Sequence, residues 1–127
     1  MLNIYNKTPA DALMKKIEII IPDRYLNEVD RILKETHTGG MTHYRVEGRG
    51  KIKAQPVAID RGTRQYTPEF VPRRKIEVVV KDEQLGAILD QLSNRMKDPS
   101  LGGKVFVVDV PIAIDLGTSQ RGEQAIA

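Results

Sequence analysis

"KKIEIIIPD" at residues 15–23 and "RKIEVVVKD" at residues 74–82 are one pattern written twice. A lysine, an isoleucine, a glutamate, three β-branched residues and an aspartate recur at a constant offset of 59. Runs of this composition read as strands. The repeat continues beyond them. Leu26, Val29, Ile32 and Leu33 follow the first copy at helical spacing, and Leu85, Ile88, Leu89, Leu92 and Met96 follow the second. The first helix is expected to begin at Asp23 and to stop before "TGG", where Gly39 or Gly40 supplies a left-handed cap. Each helix leads into another β-rich run, "MTHYRVEG" at 41–48 and "KVFVVDV" at 104–110. The order is β-α-β, a loop, then β-α-β again.

Two such units predict an α+β, ferredoxin-like fold, an antiparallel sheet with both helices on one face. Ile17, Ile19 and Ile21 share a face with Ile76, Val78 and Val80, and these should meet the helices. Lys16, Glu18 and Ile20 point the other way, with Lys75, Glu77 and Val79 as counterparts. That second face is half charged and half aliphatic, so self-association is expected to cover it. Such a fold specifies no chemistry by itself.

The length of 127 residues fits one domain with one modest core. With no cysteine, disulfides and thiolate metal ligands are excluded. No apolar run approaches the roughly 20 residues of a membrane helix, and the first residues lack a signal peptide's apolar core. A soluble cytoplasmic protein with no membrane insertion is the expectation. The net charge of +3 is unevenly placed: residues 45–75 hold nine Lys or Arg against three acids. An anionic partner is to be sought there.

The connection between the copies, residues 49–72, is unusually long for a compact domain. Pro56, Pro68 and Pro72 punctuate it, Tyr66 and Phe70 are its aromatics, and its few apolar residues predict a loop that does not order itself. "GRGK" at 48–51 opens it: two glycines free the backbone for close approach and Arg49 and Lys51 add positive charge. Gly102, Gly103 and Lys104 form a counterpart before the last strand. Ordinary β-turns use the same residues, and neither stretch is a Walker A loop. Two Gly-basic turns in one small domain, or across a subunit boundary, would suit one anionic ligand.

Taken together, "MKKIEIII", "TGGMTHYRVEGRGK", "RGTRQYTPEFVPRRKIEVVV" and "GGKVFVVDV" resemble the PII signalling proteins, over about residues 14–126. The resemblance implies a homotrimer that binds adenine nucleotides in clefts between subunits and presents a flexible T-loop, about residues 50–68, to a transporter or metabolic enzyme. It divides the chain into an N-terminal extension (1–13), the ferredoxin-like domain (14–110) and a tail (111–127). By matching position, Ile20, Thr42, Gly48, Gly50, Lys51, Glu77 and Val79 would line the nucleotide site from one side, with Lys51 and Lys53 nearest the ligand. Gly102, Gly103 and Lys104 would hold phosphates, and Glu77 would sit near the base; a solvated strand glutamate is the alternative. Tyr66 matches a tyrosine that some relatives modify.

The departures carry as much information. Ile52 stands where relatives use a glutamine to help hold Mg²⁺ and 2-oxoglutarate, and an aliphatic chain offers no oxygen donor. Asp115 and Gly117 stand at the positions of two phosphate-binding arginines. Arg121 would compensate if the tail folds back. The expectation is ADP or AMP, with ATP as a weaker ligand, in place of Mg-ATP with 2-oxoglutarate. That leans toward PII-like relatives linked to inorganic carbon and a small anion such as bicarbonate; the alternative is a conventional ATP/2-oxoglutarate-sensing nitrogen regulator.

Other classes fit less well. An RNA-binding sheet stacks bases on strand aromatics, whereas these strands are aliphatic apart from Phe106, so no nucleic acid is expected. Catalysis lacks a candidate: His37 and His43 have no evident carboxylate partner, and neither a metal site nor an acid–base pair emerges. A ligand-free interaction domain explains the repeat but not the two glycine turns.

Overall fold

The computed structural model of the protein describes residues 13–50 and 55–127. Apart from Leu13, the N-terminal extension lies outside the described residues, as do Lys51, Ile52 and Lys53. Strand β1 (Met14–Ile21) leads through a 3-10 turn (Asp23–Tyr25) into helix α1 (Leu26–Glu35) and strand β2 (Thr42–Gly48). The loop contains a small hairpin, β3 (Val57–Ile59) and β4 (Arg64–Tyr66). The second unit is β5 (Val71–Lys81), α2 (Asp82–Arg95) and β6 (Lys104–Val110). A 3-10 turn at Gly122–Ile126 ends the tail.

The four long strands form an antiparallel sheet in the order β2-β5-β1-β6. This is the expected ferredoxin-like topology. The two copies of the repeat are its central neighbours, and their register sets Glu18 opposite Glu77. The repeated glutamates therefore mark an internal two-fold seam. On one side of the sheet Ile17, Ile19, Ile21, Ile76, Val78 and Val80 are at most 2% exposed. They pack with Val29, Ile32 and Leu33 of α1 and Ile88 and Leu92 of α2. Each such side chain contributes about 1.5–3 kcal/mol by leaving water.

Two local details differ from expectation. The helix proper begins at Leu26, because Asp23–Tyr25 takes the tighter 3-10 form. Its end is capped by His37, at φ 58°, and not by Gly39 or Gly40. The Thr38 amide donates to the Leu33 carbonyl at 3.1 Å and the His37 amide to Lys34 at 3.1 Å, which is a Schellman motif with histidine at the left-handed position. Thr36 and Thr38 hydroxyls also donate to Leu33 (3.2 and 3.0 Å), so side chains reinforce the cap that glycine would otherwise favour.

The loop departs from expectation as well. Its hairpin is exposed, yet local contacts shape its turn: Asp60, Arg61 and Gly62 all have positive φ, the Thr63 amide donates to the Asp60 carbonyl at 3.2 Å, and Arg64 Nε donates to the Asp60 carboxylate at 2.6 Å. Backbone pairing and turn chemistry thus order a segment that buries almost nothing.

The opposite face of the sheet has no helix layer. Lys16, Glu18, Lys75 and Glu77 alternate in charge across the seam, at 3.1 Å for Lys16–Glu18 and 3.7 Å for each Lys75 contact. The hydrogen bond from Lys16, helped by Lys75, holds the Glu18 carboxyl below its ordinary range. Burial disfavours the Lys75 charge, but the Tyr44 hydroxyl and the two glutamates outweigh it and its pKa is raised. Edge strand β6 is bare on both faces, with Val105, Phe106, Val107 and Val108 between 41% and 51% exposed.

Candidate functional site

The two Gly-basic turns come together. Gly48, Arg49 and Gly50 at the end of β2 face Gly102, Gly103 and Lys104 at the start of β6, with Ile20 between them, around a cleft of about 540 Å³. The register explains this: Ile20 stands beside Lys104 on one flank and Lys75 on the other, and β2 ends one strand farther out. The turn before β6 is tightly determined. Asp98 accepts the Ser100 amide and hydroxyl at 2.9 and 2.8 Å, and those bonds, the amide first, hold its carboxyl below the ordinary range. Gly102 has φ 71°. A Cβ on Gly103 would stand 2.4 Å from the Leu101 side chain and 3.0 Å from the Ile20 carbonyl, so only glycine fits without rearrangement.

Arg49, Arg73 and Lys104 line this cleft, against one carboxylate, Asp98. Arg73 is absent from the residues expected at the site. Its signal was face parity: it shares a face with Lys75 and Glu77 and pairs in register with Val46, two residues before Gly48. Arg49 also pairs with Glu69 and lies over the Phe70 ring at 5.9 Å. The cleft is thereby tied to the returning end of the loop.

Thr42, Glu77 and Val79 do not join this cleft. They line a second one of about 350 Å³, with Lys16, Gly40 and residues 125–127 of the tail. Lys16 and Ile20 are four residues apart on β1, about 13 Å by the rise of a strand. Sequence position grouped all these residues on one side of a site; the structure puts them at opposite ends of the open face. Lys51 and Lys53 lie outside the described residues.

The tail does fold back. Ile114 bridges Arg121, the Asp115 amide donates to the Gln120 carbonyl at 2.9 Å, and the Asp115 carboxylate accepts the Gly117 and Thr118 amides at 2.8 and 3.0 Å. Asp115 thus shapes a reverse turn. Arg121 lines neither cleft within its own chain. Gly39 admits the tail: a Cβ there would come 3.0 Å from the Ile126 carbonyl. Tyr66 is on β4, 56% exposed. Among the described residues no helix is long and apolar enough to cross a membrane.

A family model described as nitrogen regulatory protein P-II matches residues 14–120. The nitrogen regulatory protein P-II of Rhizobium meliloti (strain 1021) is 36% identical over 114 residues, covering 89% of this chain and 100% of the relative. Nitrogen regulatory protein P-II 1 of Escherichia coli (strain K12) is 35% identical with the same coverage. Among solved structures, Arabidopsis thaliana PII bound to citrate matches with a TM-score of 0.71 and 26% identity over 91% of this chain and 94% of that one. The B. subtilis GlnK–ATP complex matches with a TM-score of 0.69 over 89% and 97%, and its 23% identity speaks for the fold alone. The chain belongs to the nitrogen regulatory protein P-II family of signalling proteins.

Proposed function

We propose that the protein is a homotrimeric adenylate sensor, regulatory and not enzymatic, that binds ADP or AMP between subunits and signals to a target through its T-loop. One observation carries the reading. The phosphate-type residues (Gly48, Gly50, Gly102, Gly103, Lys104) and the base-type residues (Thr42, Glu77, Val79) occupy two separate clefts of one chain. A ligand that uses both sets then joins the glycine cleft of one copy to the Glu77 cleft of the next. The bare β6 strand supports such an assembly, since exposed apolar surface of this kind marks an interface.

Preference for ADP or AMP rests on charge. Asp115 spends its carboxylate on its own turn and contributes no cation, while Arg49, Arg73 and Lys104 supply the positive charge on the glycine side. Ile52 offers no oxygen to Mg²⁺. The same arginines suit a small anion such as bicarbonate, which supports a role in inorganic-carbon metabolism. Coupling follows from Arg49. An anion in the cleft competes with Glu69 for its guanidinium and shifts the loop among its conformations, which a transporter or metabolic enzyme reads. Tyr66, exposed on the hairpin, is the modification site in this reading.

The second reading is a conventional nitrogen regulator responsive to ATP and 2-oxoglutarate. The curated nitrogen regulatory relatives at 35–36% identity over their whole length favour it. Calorimetric titration with ADP, AMP and Mg-ATP, each with and without 2-oxoglutarate and bicarbonate, separates the two. ADP or AMP binding that ignores 2-oxoglutarate and responds to bicarbonate is the expected result. Mg-ATP binding strengthened by 2-oxoglutarate selects the second reading, and no adenylate binding at millimolar concentration defeats both.

A further inference from the structure

Glu77 is held by more groups than a solvated strand glutamate needs. The Tyr44 hydroxyl donates to its Oε1 at 3.1 Å, and the Lys75 and Lys16 ammonium groups lie 3.7 and 3.9 Å from that same oxygen. Among the described residues, the hydrogen bond to the carboxylate goes to Oε1 and none goes to Oε2. The side chain nevertheless lines the cleft formed with Thr42, Val79 and the tail.

Tyr44 reaches Glu77 across the sheet. Its direct partner on β5 is Lys75, while Glu77 faces Thr42, so the Tyr44–Glu77 contact is a diagonal that only a long side chain spans. The Lys75 ammonium also lies over the Tyr44 ring, 6.0 Å from its centroid. Ring and hydroxyl are thus both engaged, and the hydroxyl acts on one oxygen only.

We propose that Tyr44 is a positioning residue: it pins one oxygen of Glu77 and leaves the other as a fixed acceptor, so that the cleft selects an amino-purine over an oxo-purine. The inference rests on the nucleotide reading above and goes beyond it in naming what sets base choice. An ionised carboxylate only accepts hydrogen bonds. The 6-amino group of adenine donates to it, whereas the 6-oxo group of hypoxanthine sets lone pair against lone pair. Sites built around such a bond reject analogues that cannot form it. Without the hydroxyl, the lysines draw either oxygen and the acceptor is no longer fixed.

The test is calorimetric titration of the whole chain with ADP and with inosine diphosphate, for the wild type, Tyr44→Phe and Glu77→Gln. The wild type should favour ADP by about tenfold or more. Tyr44→Phe should narrow that ratio by about fivefold through weaker ADP binding, with inosine diphosphate affinity and oligomer size unchanged. Glu77→Gln, whose amide can donate to an oxo group, should move the preference toward inosine diphosphate. Tyr44 is 40% exposed, so removal of its hydroxyl leaves the core intact. A Tyr44→Phe ratio equal to that of the wild type overturns the positioning role and leaves nucleotide binding standing. Equal wild-type affinity for the two diphosphates overturns it too. A wild type that binds neither diphosphate overturns the nucleotide reading and this inference with it.

Discussion

The two clefts are built by opposite means. Around the glycine cleft, backbone geometry does the shaping: Gly102 is left-handed, Gly103 has no room for a side chain, and charge arrives on long arms from Arg49, Arg73 and Lys104. Around the Glu77 cleft, side chains do it, with Tyr44 and two lysines fixing one carboxylate and the tail supplying a wall. Close backbone approach with positive side chains suits a phosphate of any parent molecule. A fixed acceptor suits one particular donor. In the proposed reading, affinity for anion and choice of base are then separable, and substitutions should divide them.

The largest effect is expected from Gly103→Val. Its branched side chain would collide with Leu101 and the Ile20 carbonyl, at a cost of about 3 kcal/mol of stability, visible as a lower midpoint in urea unfolding and as lost diphosphate binding. Arg73→Ala leaves the backbone alone and removes one cation, so ADP affinity should fall about tenfold with the adenine-to-hypoxanthine preference unchanged. A changed preference would mean that the clefts are not independent. Gly39→Ala acts on the other side. Its methyl must push the Ile126 carbonyl away by a few tenths of an ångström, and ADP should weaken about fivefold, by about 1 kcal/mol. Inorganic phosphate competition at the glycine cleft should not change in that variant.

The smallest effect is an order of events in acid. Glu18 is held below its ordinary value of 4.5 and Asp98 below 3.8. A depressed native pKa contributes stability above the unfolded value and loses it as pH falls through the native one. On acidification the stability contributed by Glu18 should begin to fall below about pH 4.5 and that contributed by Asp98 below about 3.8. Glu18→Gln should flatten the first part of the unfolding-versus-pH curve and leave the second part. A curve identical to that of the wild type would remove Glu18 from the account.

Much of this architecture was legible. A period of two assigned Ile17 and Ile76 to the core and Glu18 and Glu77 to the open face, because one face of each strand had to leave water. The offset of 59 marked both halves, and the antiparallel register turned it into a seam. The end of α1 was misread because glycine is only the cheapest occupant of a left-handed position; Thr36 and Thr38 let His37 hold it. The hairpin was missed for a related reason, since its order comes from the Asp60 turn and backbone pairing while its few apolar residues stay largely exposed. The division of the site depended on strand register. Lys16 and Ile20 have the same parity, and only the pairing of their neighbours tells which cleft each enters.

The bare edge of β6 has one further consequence. Four consecutive apolar residues that stay 41–51% exposed in a single copy are surface that a neighbouring copy would take out of water. Where copies cover one another, the folded form is drawn forward by mass action, and its stability rises with the logarithm of protein concentration. Dilution then acts as a denaturant, and the number of copies made becomes part of what holds each one together.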